Sequence, residues 1–400
     1  MMHKIKFIHA ADLHLDSPFM GLNNLDEKLF KHVKESTFIA LNNLVNQAIN
    51  HQVDFILLVG DLFDNNKQSL KAQVKLKTAF EKLNDHNIMV YLSYGNHDFL
   101  LGNDYPIEYP PNVHVFDSET VKHAHFYKNE EIIANIYGFS YETRSVTNNK
   151  VAEYKKLSNQ ALFNIGMLHG SAEAATGHAN YAPFKISELR AVNFDYWALG
   201  HIHTREILSD EPYIVYPGNI QGRHRNESGS KGCYIVEMTE TNTALEYISL
   251  ATLNFETITI NLTESDTIHT MKDKINDLIT DFGNIQLIYL VIDSSSAEIT
   301  KWETEGRLDE VIQILNDVTK HYIYKYKINL HTHTFFENNY FFRQLLEHLE
   351  DHSAVEAMND LLTHPQARRY HDLINFSEEE IKEEAKQILF SQFYNGGRKS

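Results

Sequence analysis

Aspartate and histidine recur in this chain in five short clusters, each directly behind an apolar run. Asp12-Leu13-His14 follows the run from Ile5 to Ala11, and Gly60-Asp61-Leu62-Phe63-Asp64 follows Phe55 to Val59. Gly95-Asn96-His97-Asp98 comes after Ile88 to Ser93. His169-Gly170 and Gly200-His201-Ile202-His203 come after Phe163 to Leu168 and Phe194 to Leu199. A buried strand that ends in carboxylate or imidazole presents a ligand at a rigid, water-accessible edge, where α/β sheets collect what they bind. Carboxylate oxygen together with neutral imidazole nitrogen suits borderline divalent metals such as manganese, iron or zinc. Each cluster taken alone reads equally well as turn chemistry, because Asn, Asp and Gly are turn formers. Five of them in one order, all at strand ends, point to a metal centre.

The elements behind these clusters are legible from periodicity. Short apolar strands at Ile5–Ala10, Phe55–Val59 and Ile88–Ser93 alternate with amphipathic helical stretches at Asp26–Asn50 and Ser69–Asp85. This rhythm predicts α/β layers. From Val113 to Gly138 it gives way to short strands joined by turns. Further strands are expected at Phe163–Leu168, Phe194–Leu199, Tyr213–Tyr216 and Gly232–Met238. The fold class is therefore α+β with α/β-type layers: two mixed sheets packed together, helices outside. Character changes near residue 252, where Phe255–Leu262 alternates polar and apolar residues as a half-buried strand does. A helix over 267–282, a strand at Ile285–Asp293, a helix over 307–320 and a strand at Tyr322–Leu330 complete a small β-α-β-α-β unit. Beyond Glu337 the pattern is helical, broken at Pro365. Three regions follow, 1–251, 252–336 and 337–400.

Composition bounds the rest. At 400 residues, 42% hydrophobic and 22% charged, the chain can bury an ample core without disulfide or structural-metal support. Its one cysteine, Cys233, lies in an apolar run and reads as a small buried hydrophobe in a reducing compartment. There is no signal-peptide pattern and no run of the roughly 18 apolar residues that a membrane span needs, so the expectation is a cytoplasmic protein without membrane attachment. The net charge of −18 counts against a nucleic-acid partner, whose phosphates usually meet a basic surface. A metal site is itself a dense positive centre, however, and total charge is not local charge.

The order of motifs resembles the calcineurin-like metallophosphoesterase superfamily. Phe7-Ile8-His9-Ala10-Ala11-Asp12-Leu13-His14-Leu15-Asp16 and Gly60-Asp61-Leu62-Phe63-Asp64 are similar to the first two motifs of its DNA double-strand-break repair exonuclease branch, of the bacterial SbcD and YhaO type. Tyr216-Pro217-Gly218-Asn219-Ile220-Gln221-Gly222-Arg223-His224 adds a less specific likeness to that branch. The likeness covers residues 1 to about 250. It implies a metallophosphoesterase sandwich, followed by a small α/β capping domain at 252–336 and a helical C-terminal region. It implies two divalent ions, manganese first among the candidates. Asp12, His14 and His203 would hold one ion, Asn96, His169 and His201 the other, with Asp61 bridging. His97 would act on the substrate, oriented by the carboxylate of Asp64; the alternative, that Asp64 only caps the following helix, stays open. The implied activity is DNA exonuclease or endonuclease, in repair, with DNA and an SMC-like coiled-coil ATPase as partners. That ATPase would dock on the helical end, where Tyr340, Phe341, Leu345, Leu346 and Leu349 and then Val355, Met358, Leu361 and Leu362 line up at helix-face spacing. Homodimerisation is the family's habit.

Two further clusters stand out by their residue types. Arg223, His224 and Arg225, in a polar Gly-rich loop, could contact the substrate backbone or form an ordinary solvated loop. His331-Thr332-His333 has no neighbouring carboxylate motif and reads as a strand face. Two other functions compete with the nuclease reading. One is a phosphodiesterase or phosphatase for small molecules; Asn65 and Asp98 stand where protein phosphatases of the superfamily carry Arg and Glu. The other is a non-catalytic scaffold with a relic site, against which the full set of ligand types speaks.

Overall fold

The computed structural model describes residues 3–351 except 23–24, 103–106, 159–160, 174–180, 264, 280–283, 295–297, 319–320 and 331–339, together with 353, 378–379, 381–382 and 385–386. His331, His333 and the apolar stripe from Val355 to Leu362 lie outside the described residues. The chain divides after Phe255 into two compact units.

The first unit starts with β1 (Lys4–Ala10), α1 (Glu27–Asn50), β2 (Phe55–Val59), α2 (Leu70–Asn84), β3 (Met89–Ser93) and β4 (Val113–Val115). Then come β5 (Lys122–Lys128), β6 (Glu131–Gly138), β7 (Phe163–His169), the short helix α3 (Ile186–Ala191), β8 (Tyr196–Gly200), β9 (Glu206–Asp210) and β10 (Tyr213–Tyr216). Strands β11 (Gly232–Thr239) and β12 (Thr243–Ser249) close it. Two six-stranded mixed sheets result, in the orders β12-β11-β1-β2-β3-β4 and β5-β6-β7-β8-β10-β9. In the first, β1 to β4 run parallel while β11 is antiparallel to both β1 and β12. In the second, β6, β7, β8 and β10 are parallel, flanked by antiparallel β5 and β9.

Side chains of β2 show why its sequence is apolar throughout. Phe55, Leu57 and Val59 enter a core with Phe7, Ile165 and Tyr196 from both sheets. Ile56 and Leu58 enter another with the helices. A strand covered on both faces needs no polar alternation. In α1, Leu41, Leu44, Val45 and Ala48 form the buried stripe, and in α2 it is Ala72, Leu76, Ala79, Phe80 and Leu83, the spacing of one helix face. Both helices start at a side-chain cap: Asp26 accepts from Leu29 N–H and Ser69 from Ala72 N–H. Asp64 therefore does not cap the helix that follows it, α2. A third core, around Trp197, Tyr154 and Phe184, covers the other face of the second sheet.

The second unit holds a three-stranded sheet, β13 (Leu253–Leu262), β14 (Ile285–Ser294) and β15 (Tyr322–Leu330), in that order, with β14 and β15 parallel. Helices α4 (Ile268–Leu278), α5 (Glu298–Thr304) and α6 (Arg307–Val318) connect the strands, and α7 (Tyr340–Asp351) follows. Its core gathers Ile260, Met271, Ile275, Leu290, Leu308 and Leu315. α3, α5, β9 and β12 have no counterpart in the sequence reading. They are five to seven residues long, and so short a periodicity does not separate helix, strand and turn.

Candidate metal centre

The five clusters meet at the carboxyl ends of β1, β2, β3, β7 and β8, where the loops of the two sheets face each other. The loop after β1 runs beside the loop after β2: Asp12, His14 and Leu15 N–H donate to the carbonyls of Gly60, Asp61 and Leu62 at 3.2, 3.0 and 2.9 Å. This zipper forces the backbone into the left-handed region at Asp12, His14 and Asp61, and His201 is there too, with φ of 53, 40, 49 and 99°. Non-glycine residues take that region at a cost, and such strain concentrates where side chains must converge.

Six carboxylate and imidazole groups form two clusters, Asp12-His14-His203 and Asp61-His169-His201. Asp61 also reaches the first cluster: its Oδ2 lies 3.3 Å from His169 Nε2 and 3.9 Å from His14 Nε2. Asn96 Oδ1 stands 3.1 Å from His169 Nε2 and 3.2 Å from His201 Nδ1. The hydrogen bonds at the rear of the imidazoles set their tautomers. His169 Nδ1–H donates to the Val59 carbonyl at 3.0 Å, so its Nε2 lone pair faces Asp61 and Asn96. His203 Nδ1–H donates to Glu227 Oε1 at 2.7 Å, and its Nε2 lies 3.1 Å from His14 Nε2. Two imidazole nitrogens so close, one of them a lone pair in the neutral ring, are what a shared cation would satisfy.

Electrostatics agree with that fit. Asp12 and Asp61 are each 1% exposed, and among the described residues neither has Lys or Arg within ion-pair distance. Burial raises Asp12 above its ordinary carboxylate value. Asp61 is buried as deeply, yet His169 and His97 hold it well below. Burial, with Arg223 and His203 nearby, keeps His14 well below its ordinary value and hence neutral, the form in which imidazole binds metal. Against the burial that opposes them, Asp61 and Asp12 raise His169 to about 9: the negative field that draws a proton to its Nε2 is the field that would draw a cation there in the proton's place. Gly95 keeps the centre open, since a Cβ there would fall 2.3 Å from Asp61 Oδ1 and 2.7 Å from His169 Nε2. The donor set of carboxylate, amide oxygen and neutral imidazole fits two divalent ions of the manganese, iron or zinc type.

The remaining expected residues fall differently. His97 is half-buried beside His14, ring centroids 5.0 Å apart. Its Nδ1–H donates to the main-chain carbonyl of Asp64 at 2.8 Å, not to the carboxylate. That carboxylate accepts from Arg223 Nη1 at 2.8 Å. Instead of reaching out from its loop, Arg223 turns inward, its side chain 14% exposed and paired with both Asp64 and Glu227. His224 sits 3.3 Å from Glu227 Oε1, and Arg225 is half-buried in the same loop.

Four residues without an assigned site role lie in or near the loops of the centre. Asp98 accepts from Gly95, Leu62 and Phe63 N–H at 2.7, 2.6 and 3.3 Å, tying the loops after β2 and β3 together; burial and the nearby Asp61 push its carboxyl up to about 7. Glu227 orients His203. Arg205, exposed and without a carboxylate partner among the described residues, stacks on Tyr247 with its guanidinium 3.8 Å from the ring centroid. Nearby, Lys231 Nζ–H donates to the His203 carbonyl at 3.0 Å. Only Asp98 stood inside a motif; the others lie in polar loops whose local pattern carries no signal.

The calcineurin-like phosphoesterase family matches residues 5–205, a stretch that holds all six clustered residues. Across its length the chain is 39% identical, over 404 residues, to the metallophosphoesterase YhaO of Bacillus subtilis, covering 98% of each chain. It is 27% identical over 247 residues to the DNA double-strand break repair protein Mre11 of Methanocaldococcus jannaschii, 58% of this chain and 62% of that one. A protein of the same description from Thermoplasma acidophilum is 24% identical over 317 residues, 76% of this chain and 81% of the other. The chain belongs to the calcineurin-like phosphoesterase family and is a metal-dependent phosphoesterase.

Proposed function

We propose that this phosphoesterase is a DNA nuclease subunit, an exonuclease or endonuclease working with two manganese ions in cytoplasmic DNA repair beside an SMC-like ATPase. The observation that carries the reading is the convergence of Asp12-His14-His203 and Asp61-His169-His201 around one carboxylate, Asp61. The Mre11 relatives, described as DNA double-strand break repair proteins, support DNA as the substrate.

Two divalent ions held by these clusters would supply a Lewis-acid clamp for a phosphate and a bound water of lowered pKa. No protein nucleophile is then required. This chain's own residues orient and shield. His97, fixed through Nδ1 by the Asp64 carbonyl, offers Nε2 for proton transfer or charge stabilisation at the leaving oxygen. Arg205, exposed and stacked on Tyr247, puts a cation two residues from His203, where a polyanion backbone needs one despite the acidic total.

The test compares linear duplex DNA, single-stranded DNA and a small phosphodiester with manganese present. We expect turnover of DNA well above the small diester, and none for Asp61→Asn. His97→Ala should keep its manganese and lose about 100-fold or more in turnover. Equal rates on the small diester would remove DNA from the reading, and full activity of His97→Ala would remove its catalytic role.

A further inference from the structure

The most densely hydrogen-bonded acid at the edge of the centre is Glu227, 5% exposed. Its Oε1 accepts from His203 Nδ1 at 2.7 Å and Arg223 Nη2 at 3.0 Å, with His224 Nε2 at 3.3 Å. Its Oε2 accepts from Arg223 N–H at 2.8 Å, Asn219 Nδ2 at 2.8 Å and Arg223 Nε at 3.4 Å. Arg223 and His203 hold its carboxyl well below the usual range, against a burial that would raise it. A carboxylate this buried is tolerated only with such satisfaction.

The other end of the same guanidinium grips Asp64, whose Oδ1 lies 3.6 Å from His14 Nδ1. One arginine thus bridges two carboxylates, and each faces the Nδ1 side of a histidine whose Nε2 points at the other histidine. Both histidines belong to the Asp12 cluster. The second cluster is supported by other means: His169 is fixed by the Val59 carbonyl at a strand end, and His201 N–H donates to the Asp12 carboxylate at 3.1 Å. One ligand set is seated on the sheet, while its neighbour depends on a side-chain ion network spanning a loop.

We propose that Arg223, Glu227 and Asp64 form a positioning clamp dedicated to the Asp12-His14-His203 site, setting the His203 tautomer and the spacing of the two imidazoles. The clamp rests on the two-metal reading above. It assigns to Arg223 a role in shaping one metal site in place of substrate contact, and to Glu227 the outer carboxylate of a carboxylate–histidine–metal arrangement. Its consequence is asymmetry: loosening the clamp weakens one ion and spares the other.

The test is a calorimetric manganese titration of the full-length, metal-stripped protein, with circular dichroism to verify folding. Wild-type protein should show two sites. In Glu227→Gln one site should weaken by about 10- to 100-fold while the other stays within about twofold, and adding His169→Ala should abolish the survivor. Arg223→Lys, which keeps the charge but cannot fork between two carboxylates, should weaken the same site and serves if Glu227→Gln fails to fold. Unchanged affinities, or equal loss at both sites, would overturn the clamp while leaving the metal centre standing. A wild-type protein that binds no manganese would overturn both.

Discussion

His9 shows at the residue scale how closely the polar interior behind the centre is matched. Fully buried between the sheets, it donates Nε2–H to the Leu199 carbonyl at 3.0 Å, which leaves Nδ1 to accept from Tyr196 O–H at 3.0 Å. Burial drives its pKa from 6.5 down to about 3, against the carbonyl's opposing pull. Protonation therefore favours the unfolded chain, where the ordinary value applies. The stability tied to His9 is complete above pH 6.5 and is lost as pH falls from there toward 3. Its slope approaches about 1.4 kcal/mol per pH unit. We expect denaturant melts of His9→Gln to vary less steeply with pH over that window than those of the parent, by up to one proton's worth. Parallel curves for the two proteins would show that His9 is solvated or charged in the fold.

At the scale of elements, the site is a product of strand ends and the turns that follow them. β1, β2 and β3 are parallel neighbours, so their carboxyl ends open on the same side and deliver Asp12, Asp61 and Asn96 together. β7 and β8 are parallel neighbours in the facing sheet and deliver His169 and His201. The turn after β3 has little room, because an added Cβ at Gly95 would strike the Asp61 carboxylate, the Asp61 amide and the His169 imidazole. Gly95→Ala should therefore displace ligands while leaving both sheets intact. We expect roughly 100-fold lower turnover, the loss that a displacement of about 1 Å produces, with a thermal midpoint within a few degrees of the parent. A variant with parental metal affinity and rate would show that the turn relaxes without moving Asp61.

Across the whole molecule, a net charge of −18 coexists with a centre that gathers Asp12, Asp61 and Asp98 under burial and with Arg205 and Lys231 close by. Under the proposed function, long-range attraction of DNA is weak, and capture would depend on the centre itself and on the proposed ATPase partner. Among the described residues no helix is long and apolar enough to cross a membrane. The second unit adds a three-stranded sheet and α7, on which Leu345, Leu346 and Leu349 are half-buried. Under the proposed assembly, the region from 337 onward docks on the coiled coil of the ATPase. Co-purification should recover that ATPase with the full chain and lose most of it with a chain ending at Glu337; equal recovery would exclude this docking role.

Much of the architecture was legible before folding was considered. β2 is an uninterrupted apolar run because both faces are covered, α1 and α2 announce themselves by a regular apolar stripe, and the ligand types stand directly behind the strands. A strand end fixes where a side chain starts, so Asp12, Asp61, His169 and His201 were readable as a set. What those side chains find across the gap was not readable. Arg223 meets Asp64 from 159 positions away, Glu227 meets His203, and His97 takes a carbonyl where a carboxylate was expected. Sequence by itself determined which residues reach the rim and with what chemistry, because strand and helix periodicity are local. Tertiary structure alone decided how they pair, because sheet order and loop path bring together groups that share no local pattern.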